Sequence, residues 1–227
     1  MVLIGVGRTA DVYVLDERWV LRRYRDGAVG DAETERTLMT YLRGHGYPVP
    51  LVRPAQEGTS RTDLVLERLD GPTMAGALAA GLVTPRQAGA MLALLLTGLH
   101  AVPARRADGP GRSILHLDLH PENIILTSGG PRVIDWANAS EGPPGLDWAM
   151  SAVILAEVAT GTTRTARPAR ELLSALLGDP AAVHLTPEAL TEALRRRAED
   201  PMTTERETAA LGRAGDAVRE LVEPRPV

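Results

Sequence analysis

The sequence predicts an α+β fold, in which a strand-rich N-terminal part precedes a mainly helical C-terminal part. Short β-branched and apolar runs dominate up to about residue 69. Beyond residue 70, apolar residues recur mainly at the three- and four-residue spacing of helices. We therefore expect two lobes, residues 1–69 and 70–227, with a hinge between Glu67 and Pro72.

The N-terminal part is predicted to contain three strands and one helix. Strands are expected at residues 12–15, 19–24 and 63–69, where β-prone residues lie between turn-forming ones. Residues 31–44 predict a helix, because apolar residues fall at i, i+3 and i+4 and glycines follow. The run Val2-Leu3-Ile4 is expected to lead directly into a glycine turn.

The C-terminal part is predicted to be helical except at one place. Thr84 can cap a helix that begins at Pro85 and runs to about residue 102. Residues 114–133 interrupt the helices with short apolar strands around a polar loop. Further helices are expected at residues 146–160, residues 168–177, after Thr186-Pro187, and at residues 203–222.

Composition and charge exclude several classes of protein. The chain is 44% hydrophobic and 24% charged, which are ordinary globular values. Its net charge of −4 gives no basic surface for nucleic acid. No apolar run is long enough to cross a bilayer, and the first residues lack the basic region of a signal peptide. Without cysteine, neither disulfides nor thiolate metal sites are available, so we expect a cytoplasmic protein without membrane or nucleic-acid partners.

Two residue types are absent from the chain, and their absence constrains the core and the mechanism. The chain has no phenylalanine, so leucine, valine, isoleucine and methionine must fill most of the core. It also has no lysine, and all 25 basic residues are arginine. Any chemistry that ordinarily uses lysine must therefore use arginine or proceed without it.

The polar loop carries the strongest chemical signal. It reads HLDLHPEN at residues 116–123, and a short apolar run ends at Asp135 soon afterwards. Acids and amides at the ends of buried strands are costly unless they bind something. Phosphoryl transfer from a nucleotide uses such a set, one carboxylate for the acceptor hydroxyl and an amide with a second carboxylate for Mg²⁺. Asp118 and Asn123 have the five-residue spacing of a kinase catalytic loop.

The pattern HxDxHPxN followed by Ile134-Asp135-Trp136 resembles the aminoglycoside phosphotransferase family, which also includes choline and homoserine kinases. The resemblance runs from about Gly5 to about Val158. It implies a protein-kinase-like two-lobe fold with a shortened helical C-terminal lobe. It also implies that Mg²⁺ and ATP or GTP are cofactors, and that the γ-phosphate passes to a hydroxyl of an aminoglycoside-like antibiotic or metabolite.

The resemblance also implies roles for individual residues. Asp118 would be the catalytic base and His120 would support it, while Asn123 and Asp135 would bind Mg²⁺. His116 would be structural, tying the loop to the following strand. A zinc site on His116 and His120 is an alternative, because i, i+4 spacing suits a helix. Pro121 and the strand-like flanks disfavour that helix.

A glycine-rich segment near the N-terminus fits a phosphate-binding turn. Residues 5–12 read GVGRTADV, with Gly5, Gly7 and Val12 matching G-x-G-x-x-A-x-V and Thr9 inside the turn. Glycines allow backbone amides to approach phosphates closely. A plain hairpin turn is the alternative. A dinucleotide-binding site is disfavoured because a strand, not a helix, follows.

Arg22 stands where the family has its nucleotide-binding lysine. Arg23 is the second choice, because neighbouring residues on a strand point to opposite faces. The helix glutamate that pairs with this residue is expected to be Glu35, with Glu33 as the second choice. Arginine can bind phosphate bidentately but is not equivalent to lysine.

Two further segments resemble parts of the family. Glu67 and Leu69 lie where main-chain groups would meet the adenine. Asp147, in a Gly-Leu-Asp-Trp segment, is expected to hold the catalytic loop or to cap the helix that begins there.

The acceptor is expected to be a small molecule, since residues 135–147 show no activation-loop pattern. Acids beyond residue 161, near an Arg195-Arg196-Arg197 run, could line a site for a cationic acceptor, although solvated helix faces are the commoner explanation. A non-catalytic nucleotide-binding or scaffold protein on the same fold is the alternative function, and a protein kinase is a third. No oligomeric state is predicted.

Overall fold

The computed structural model describes residues 1–7, 9–25, 31–54, 60–105, 111–200 and 205–222, without the side chains of residues 205–208. Arg8 of the glycine-rich segment and the predicted helix start at Thr203 lie outside these residues. The strands are β1 (Val2–Val6), β2 (Ala10–Val14), β3 (Trp19–Tyr24), β4 (Asp63–Glu67), β5 (Ser113–Leu115), β6 (Ile124–Thr127), β7 (Gly130–Val133) and β8 (Ser140–Gly142). The helices are α1 (Ala32–Gly44), α2 (Met74–Ala79), α3 (Pro85–His100), α4 (Pro144–Ala159), α5 (Ala166–Leu177), α6 (Pro187–Glu199) and α7 (Glu205–Val222).

The chain forms two compact units. The first comprises Met1–Thr73 and Asn123–Asn138, and the second comprises Met74–Glu122 and Ala139–Val227. This division differs from a single boundary after residue 69, because the β6–β7 hairpin returns to the first unit. Backbone hydrogen bonds join the hairpin to that unit, from Leu126 N to Pro72 O at 2.9 Å and from Val133 N to Pro48 O at 2.8 Å.

Gly71 allows the chain to pass close to this hairpin. Its φ is +148°, and a Cβ on it would lie 2.1 Å from Leu126 O. Only glycine, which has no side chain, fits such an approach. The chain that follows β4 can therefore pass directly beside the β6–β7 hairpin.

The sheet of the first unit is antiparallel, in the order β1-β2-β3-β4. β3 spans Trp19–Tyr24 as predicted, and its register places Arg22 between Val12 of β2 and Leu64 of β4. The expectation that Val2-Leu3-Ile4 leads directly into a turn is wrong. This apolar run instead begins strand β1, which continues through Gly5 to Val6.

Helix α1 confirms the prediction for residues 31–44. Asp31 is its N-cap and accepts a hydrogen bond from Glu33 N at 3.1 Å. Glu33 and Glu35 stand in the first turn, where the helix dipole favours negative charge. Leu38 and Leu42, one turn apart, lie on the buried face.

The second unit is built around α4, which is buried along most of its length and contacts α5, α6 and α7. Helix α3 begins as predicted, with a capping box between Thr84 and Gln87 and with Pro85 in its first turn. The short helix α2 was not predicted, because its six residues include Gly76 and complete less than two turns. Among the described residues, no helix is long and apolar enough to cross a bilayer.

Candidate active site

Asp147 holds the polar loop of the second unit from the first turn of α4. Its carboxylate is fully buried and accepts hydrogen bonds from His116 N at 3.0 Å and from Leu117 N at 2.7 Å. His100 Nε2 lies 3.1 Å from Oδ2 of the same carboxylate. The first of the two roles predicted for Asp147, holding the loop, is therefore confirmed.

The loop has an unusual backbone conformation that its neighbours stabilise. Leu117 has a φ of +64°, a left-handed value that costs a residue with a side chain about 1 kcal/mol. Asp118 N donates to His116 Nδ1 at 3.3 Å, and Ser151 Oγ donates to Leu119 O at 2.8 Å. Contacts on both sides of Asp118 therefore hold the loop in place.

The surroundings of Asp118 favour its ionised form. Its side chain is 28% exposed, and Oδ1 lies 3.6 Å from His120 Nε2. Burial alone would raise the pKa of Asp118. The hydrogen bond and charge of His120, together with the charges of His116 and Arg197, outweigh burial and hold the pKa below its ordinary value. A carboxylate that stays ionised can accept or orient the proton of a hydroxyl group.

Arg197 is a buried part of this region that sequence reasoning missed. It lies on α6 and donates from Nε and Nη2 to the two carboxylate oxygens of Glu157, at 3.1 and 2.9 Å. Its Nη1 lies 3.7 Å from Asp200 Oδ2. The signal was present in the spacing, because Leu190, Ala193 and Arg197 fall at i, i+3 and i+7 on the buried face of the helix.

The contacts of the two loop histidines favour a role in the loop over the alternative zinc site. His116 Nδ1 accepts from Asp118 N, and His120 Nδ1 accepts from Glu122 N at 3.4 Å. Within the described ranges, no group of three or more histidine or acidic side chains is placed to hold a metal ion. The histidines instead stabilise the loop around Asp118.

In the first unit, the β6–β7 hairpin brings Asn123 and Asp135 to the same end of its ladder. Ile124 pairs with Val133, and Ile134 N donates to Asn123 O at 3.0 Å. Asn123 therefore lies opposite Ile134, and Asp135 is the next residue. Asn123 is 8% exposed, whereas the side chain of Asp135 is 40% exposed.

Arg22 and Glu35 form a buried ion pair. Arg22 Nη1 lies 2.7 and 2.6 Å from the two carboxylate oxygens of Glu35. Arg23 points to the other face and binds Asp63 bidentately, with both distances at 2.7 Å. Glu33 is exposed and lies 3.5 Å from Arg36. The structure thus pairs the first choice of arginine with the first choice of glutamate.

The pair extends to Asp135 through a network of short hydrogen bonds. Arg22 Nη2 donates to Asp135 Oδ1 at 2.6 Å. Glu35 also accepts from Tyr24 Oη at 2.6 Å and from Trp136 N at 3.0 Å. Burial and the charge of Glu35 raise the pKa of Tyr24 well above its ordinary value, so its hydroxyl stays a donor.

The glycine-rich turn is shorter than predicted. Gly5 lies within β1 opposite Val12, and the turn is closed by a bond from Gly7 N to Ala10 O at 2.9 Å. A Cβ on Gly7 would lie 2.9 Å from Ala10 O, so glycine is required there, whereas one on Gly5 would meet ordinary contacts. Thr9 is two residues beyond Gly7, and its carbonyl accepts a hydrogen bond from Arg25 N at 3.0 Å.

Glu67 and Leu69 lie at and beyond the end of β4. Glu67 N donates to Leu51 O at 2.8 Å, and its carboxylate accepts from Leu51 N at 2.9 Å. The amide of Glu67 is therefore already used within the first unit. Leu69 is half-buried two residues further on.

The acids of the C-terminal helices largely serve exposed ion pairs. Glu171 pairs with Arg167 at 3.0 Å, and Glu192 pairs with Arg195 at 2.8 Å and with Arg196 at 2.7 Å. These pairs support solvated helix faces over an acidic wall for a cationic acceptor.

The predicted site residues are thus divided between the units. Asp118 and His120 belong to the second unit. The first unit holds Gly5, Gly7, Thr9, Val12, Arg22, Glu35, Glu67, Leu69, Asn123 and Asp135. Direct contacts join Arg22, Glu35 and Asp135.

Comparison with known proteins agrees with the residue pattern. Residues 1–114 and 104–186 match the model of the phosphotransferase enzyme family. Thiamine kinase of Salmonella paratyphi B is 51% identical over 35 residues, which are 15% of this chain and only 13% of that relative.

Solved structures share the fold at low sequence identity. A thermostable mutant of aminoglycoside phosphotransferase APH(4)-Ia has a TM-score of 0.64 at 14% identity, covering 96% of this chain and 93% of that one. ADP-bound aminoglycoside phosphotransferase APH(2'')-Ib has a TM-score of 0.55 at 14% identity, covering 97% and 93%. The chain has an α+β protein-kinase-like fold and belongs to the phosphotransferase enzyme family.

Proposed function

We propose that this chain transfers the γ-phosphoryl group of ATP or GTP to a hydroxyl of a small molecule, with Mg²⁺ as cofactor. The observation that carries the proposal is the existence of two acids in different environments. Asp118 is partly buried and kept ionised in a fixed loop, whereas Asp135 is more exposed and adjoins Asn123 at the end of a hairpin. Phosphoryl transfer requires one acid for the acceptor and another for the metal.

Asp118 acts on the acceptor in this proposal. Its carboxylate takes the hydroxyl proton while the acceptor oxygen forms a bond to the γ-phosphorus. The bond from that phosphorus to the β–γ bridging oxygen breaks, and the nucleoside diphosphate leaves. His120, at 3.6 Å from Asp118 Oδ1, orients the carboxylate and helps to keep it ionised.

Asn123 and Asp135 would hold the metal ion. They offer an amide oxygen and a carboxylate, the hard donors that Mg²⁺ prefers, and the exposure of Asp135 leaves room for water and phosphate ligands. A set of two protein ligands suits Mg²⁺, which usually keeps several waters and binds substrate phosphates. When bound, Mg²⁺ would neutralise charge on the phosphate oxygens.

The nucleotide is proposed to bind the first unit. Gly7 supplies the tight turn for the phosphates, beside Gly5, Thr9 and Val12. Arg22 supplies the cation that lysine supplies elsewhere in the family, and Leu69 supplies main-chain groups for the base. The ADP-bound state of a structural neighbour supports a nucleotide as donor.

The acceptor is proposed to be a small alcohol. One relative is named a thiamine kinase and two structural neighbours are named aminoglycoside phosphotransferases, so the acceptor differs within the group. The proposal includes a cytoplasmic location without nucleic-acid or membrane partners, on grounds of composition.

A transfer assay tests the proposed function. The protein is incubated with Mg²⁺, γ-labelled ATP or GTP, and a panel that contains aminoglycosides, thiamine, choline and homoserine. We expect labelled product from at least one acceptor, and at least a 100-fold loss of rate for Asp118→Asn. Nucleotide binding without product from any acceptor would instead favour the non-catalytic alternative. A rate unaffected by Asp118→Asn would contradict the proposal.

A further inference from the structure

Arg22 bridges two carboxylates that differ in how firmly they are held. Nη1 is bound to Glu35, and Nη2 is bound to Asp135. Glu35 has a side-chain exposure of 2% and also receives hydrogen bonds from Tyr24 and Trp136. The side chain of Asp135 is 40% exposed. The Glu35 arm is therefore locked, while the Asp135 arm opens to solvent and can exchange its partner.

We propose that Arg22 competes with the divalent cation for Asp135, so that the cation binds weakly until nucleotide phosphates give Arg22 another partner. The inference rests on the proposed function, which assigns Asp135 to the metal. It goes further in giving Arg22 a second role, as a residue that opposes cation binding at an empty nucleotide site.

The competition follows from geometry and charge. Nη2 lies 2.6 Å from Asp135 Oδ1 and occupies one lone pair of the carboxylate that would bind the cation. A cation at about 2.1 Å from the same carboxylate would stand beside a buried guanidinium group that cannot lose its proton. Nη2 must then leave Asp135, and the buried guanidinium keeps Glu35 but loses one of its two anionic partners, which is costly.

Nucleotide phosphates remove that cost. A guanidinium fork binds phosphate oxygens well, and Nη1 can keep Glu35 while Nη2 turns to the phosphate. Arginine differs from lysine in that its contacts come from separate nitrogens of a rigid planar fork. In this chain the coupling between cation and phosphate would therefore depend on how the fork of Arg22 divides its contacts.

Arg23 provides a matched control. It is the next residue of β3, but it points to the other face and binds Asp63. Replacing it removes the same charge from the same strand without touching Asp135.

Mn²⁺ binding without nucleotide tests the inference. Free Mn²⁺ is counted by electron paramagnetic resonance for the wild type and for Arg22→Met, Arg23→Met and Asp135→Asn. We expect Arg22→Met to tighten binding about tenfold, within the roughly 5- to 150-fold range of typical site coupling. Arg23→Met should stay within about twofold of the wild type, and Asp135→Asn should weaken binding.

A double variant controls for misfolding of Arg22→Met. Arg22→Met combined with Glu35→Gln removes both charges of the buried pair, and its circular dichroism should match that of the wild type. We expect the same tightening of Mn²⁺ binding in it. Affinity unchanged in both folded variants would overturn the inference and leave the metal assignment standing. Affinity unchanged in Asp135→Asn would overturn the metal assignment, and the inference with it.

Discussion

Each unit of the molecule contains a buried arginine–glutamate pair beside an acid of the proposed reaction. In the first unit, Arg22 binds Glu35 and also touches Asp135 at 2.6 Å. In the second, Arg197 binds Glu157, and its charge lowers the pKa of Asp118. The arginine of the first unit thus contacts the proposed metal ligand directly, whereas the arginine of the second unit acts on the proposed base through its charge, in addition to the contact from His120.

This difference suits the two tasks. A ligand that must exchange an arginine for a cation benefits from one contact that can be replaced. A base must keep its position while its proton affinity is set; His120 does this by direct contact with Asp118, and the charge of Arg197 adds to it without occupying an oxygen. Four substitution experiments test the two arrangements, from the largest expected effect to the smallest.

Removing Glu35 should have the largest effect on stability. Glu35→Ala leaves Arg22 buried without its main partner and deprives Tyr24 and Trp136 of an acceptor. We expect the free energy of unfolding in urea to fall by about 3–5 kcal/mol. Glu33→Ala, on the exposed side of α1, should change it by less than about 0.5 kcal/mol. Equal losses in both variants would contradict the pairing described for Arg22.

Removing Glu157 should lower the free energy of unfolding by less than removing Glu35. Glu157→Ala breaks the bidentate pair with Arg197, but Asp200 remains 3.7 Å from Nη1. We expect a loss of about 2–3 kcal/mol in the same unfolding measurement. Glu171→Ala, which breaks only an exposed pair with Arg167, is the control and should lie within about 0.5 kcal/mol of the wild type. If Glu157→Ala lowered the free energy of unfolding more than Glu35→Ala, the predicted order of the two pairs would be wrong.

Removing the hydroxyl of Tyr24 should weaken only the network around Arg22 and Glu35. Tyr24→Phe deletes a donor at 2.6 Å from Glu35 and leaves the Arg22 pair in place. Because the acceptor is charged, we expect a loss of about 1.5 kcal/mol in urea unfolding. Tyr41→Phe, on the same unit, is the comparison variant. No loss in Tyr24→Phe would show that the hydroxyl does not support Glu35.

Removing Arg197 should change the titration of Asp118. Because the charge of Arg197 lowers the pKa of Asp118, Arg197→Met should raise it, so that protonation begins at a higher pH. The measurement is the carboxyl carbon resonance of Asp118 against pH, assigned with Asp118→Asn. Arg195→Met, two residues away and exposed, should leave the curve unchanged. A curve that Arg197→Met does not move would remove Arg197 from the environment of the base.

The sequence predicted the Arg22–Glu35 pair better than the Arg197–Glu157 pair. The resemblance to the family motif singled out Arg22, with Arg23 left as second choice, and the helix spacing favoured Glu35, seven residues before Leu42. The sequence predicts Arg197 to be part of a solvated arginine run, whereas the structure places it on the buried face of α6. Its partner Glu157 is forty residues away on another helix, and such pairing depends on tertiary packing.

The fold shows the same limit. Helices α1 and α3 and strand β3 were predicted almost to the residue, because the side chains along each segment repeat with the spacing of one type of secondary structure. Strand β1 was missed because Gly5 suggested a turn, whereas its pairing with Val12 keeps the strand intact. The return of the β6–β7 hairpin to the first unit depends on hydrogen bonds to Pro48 and Pro72, which no local pattern encodes.

Nucleotide affinity and turnover, measured together for Asp118→Asn and Asp135→Asn, test most directly whether the two acids have separate roles. With Mg²⁺ and ATP, we predict that Asp118→Asn keeps its dissociation constant within about threefold of the wild type while turnover falls at least 100-fold. Asp135→Asn should weaken binding by about tenfold or more and also lose turnover. Equal effects on binding in the two variants, or wild-type turnover in Asp118→Asn, would contradict this account.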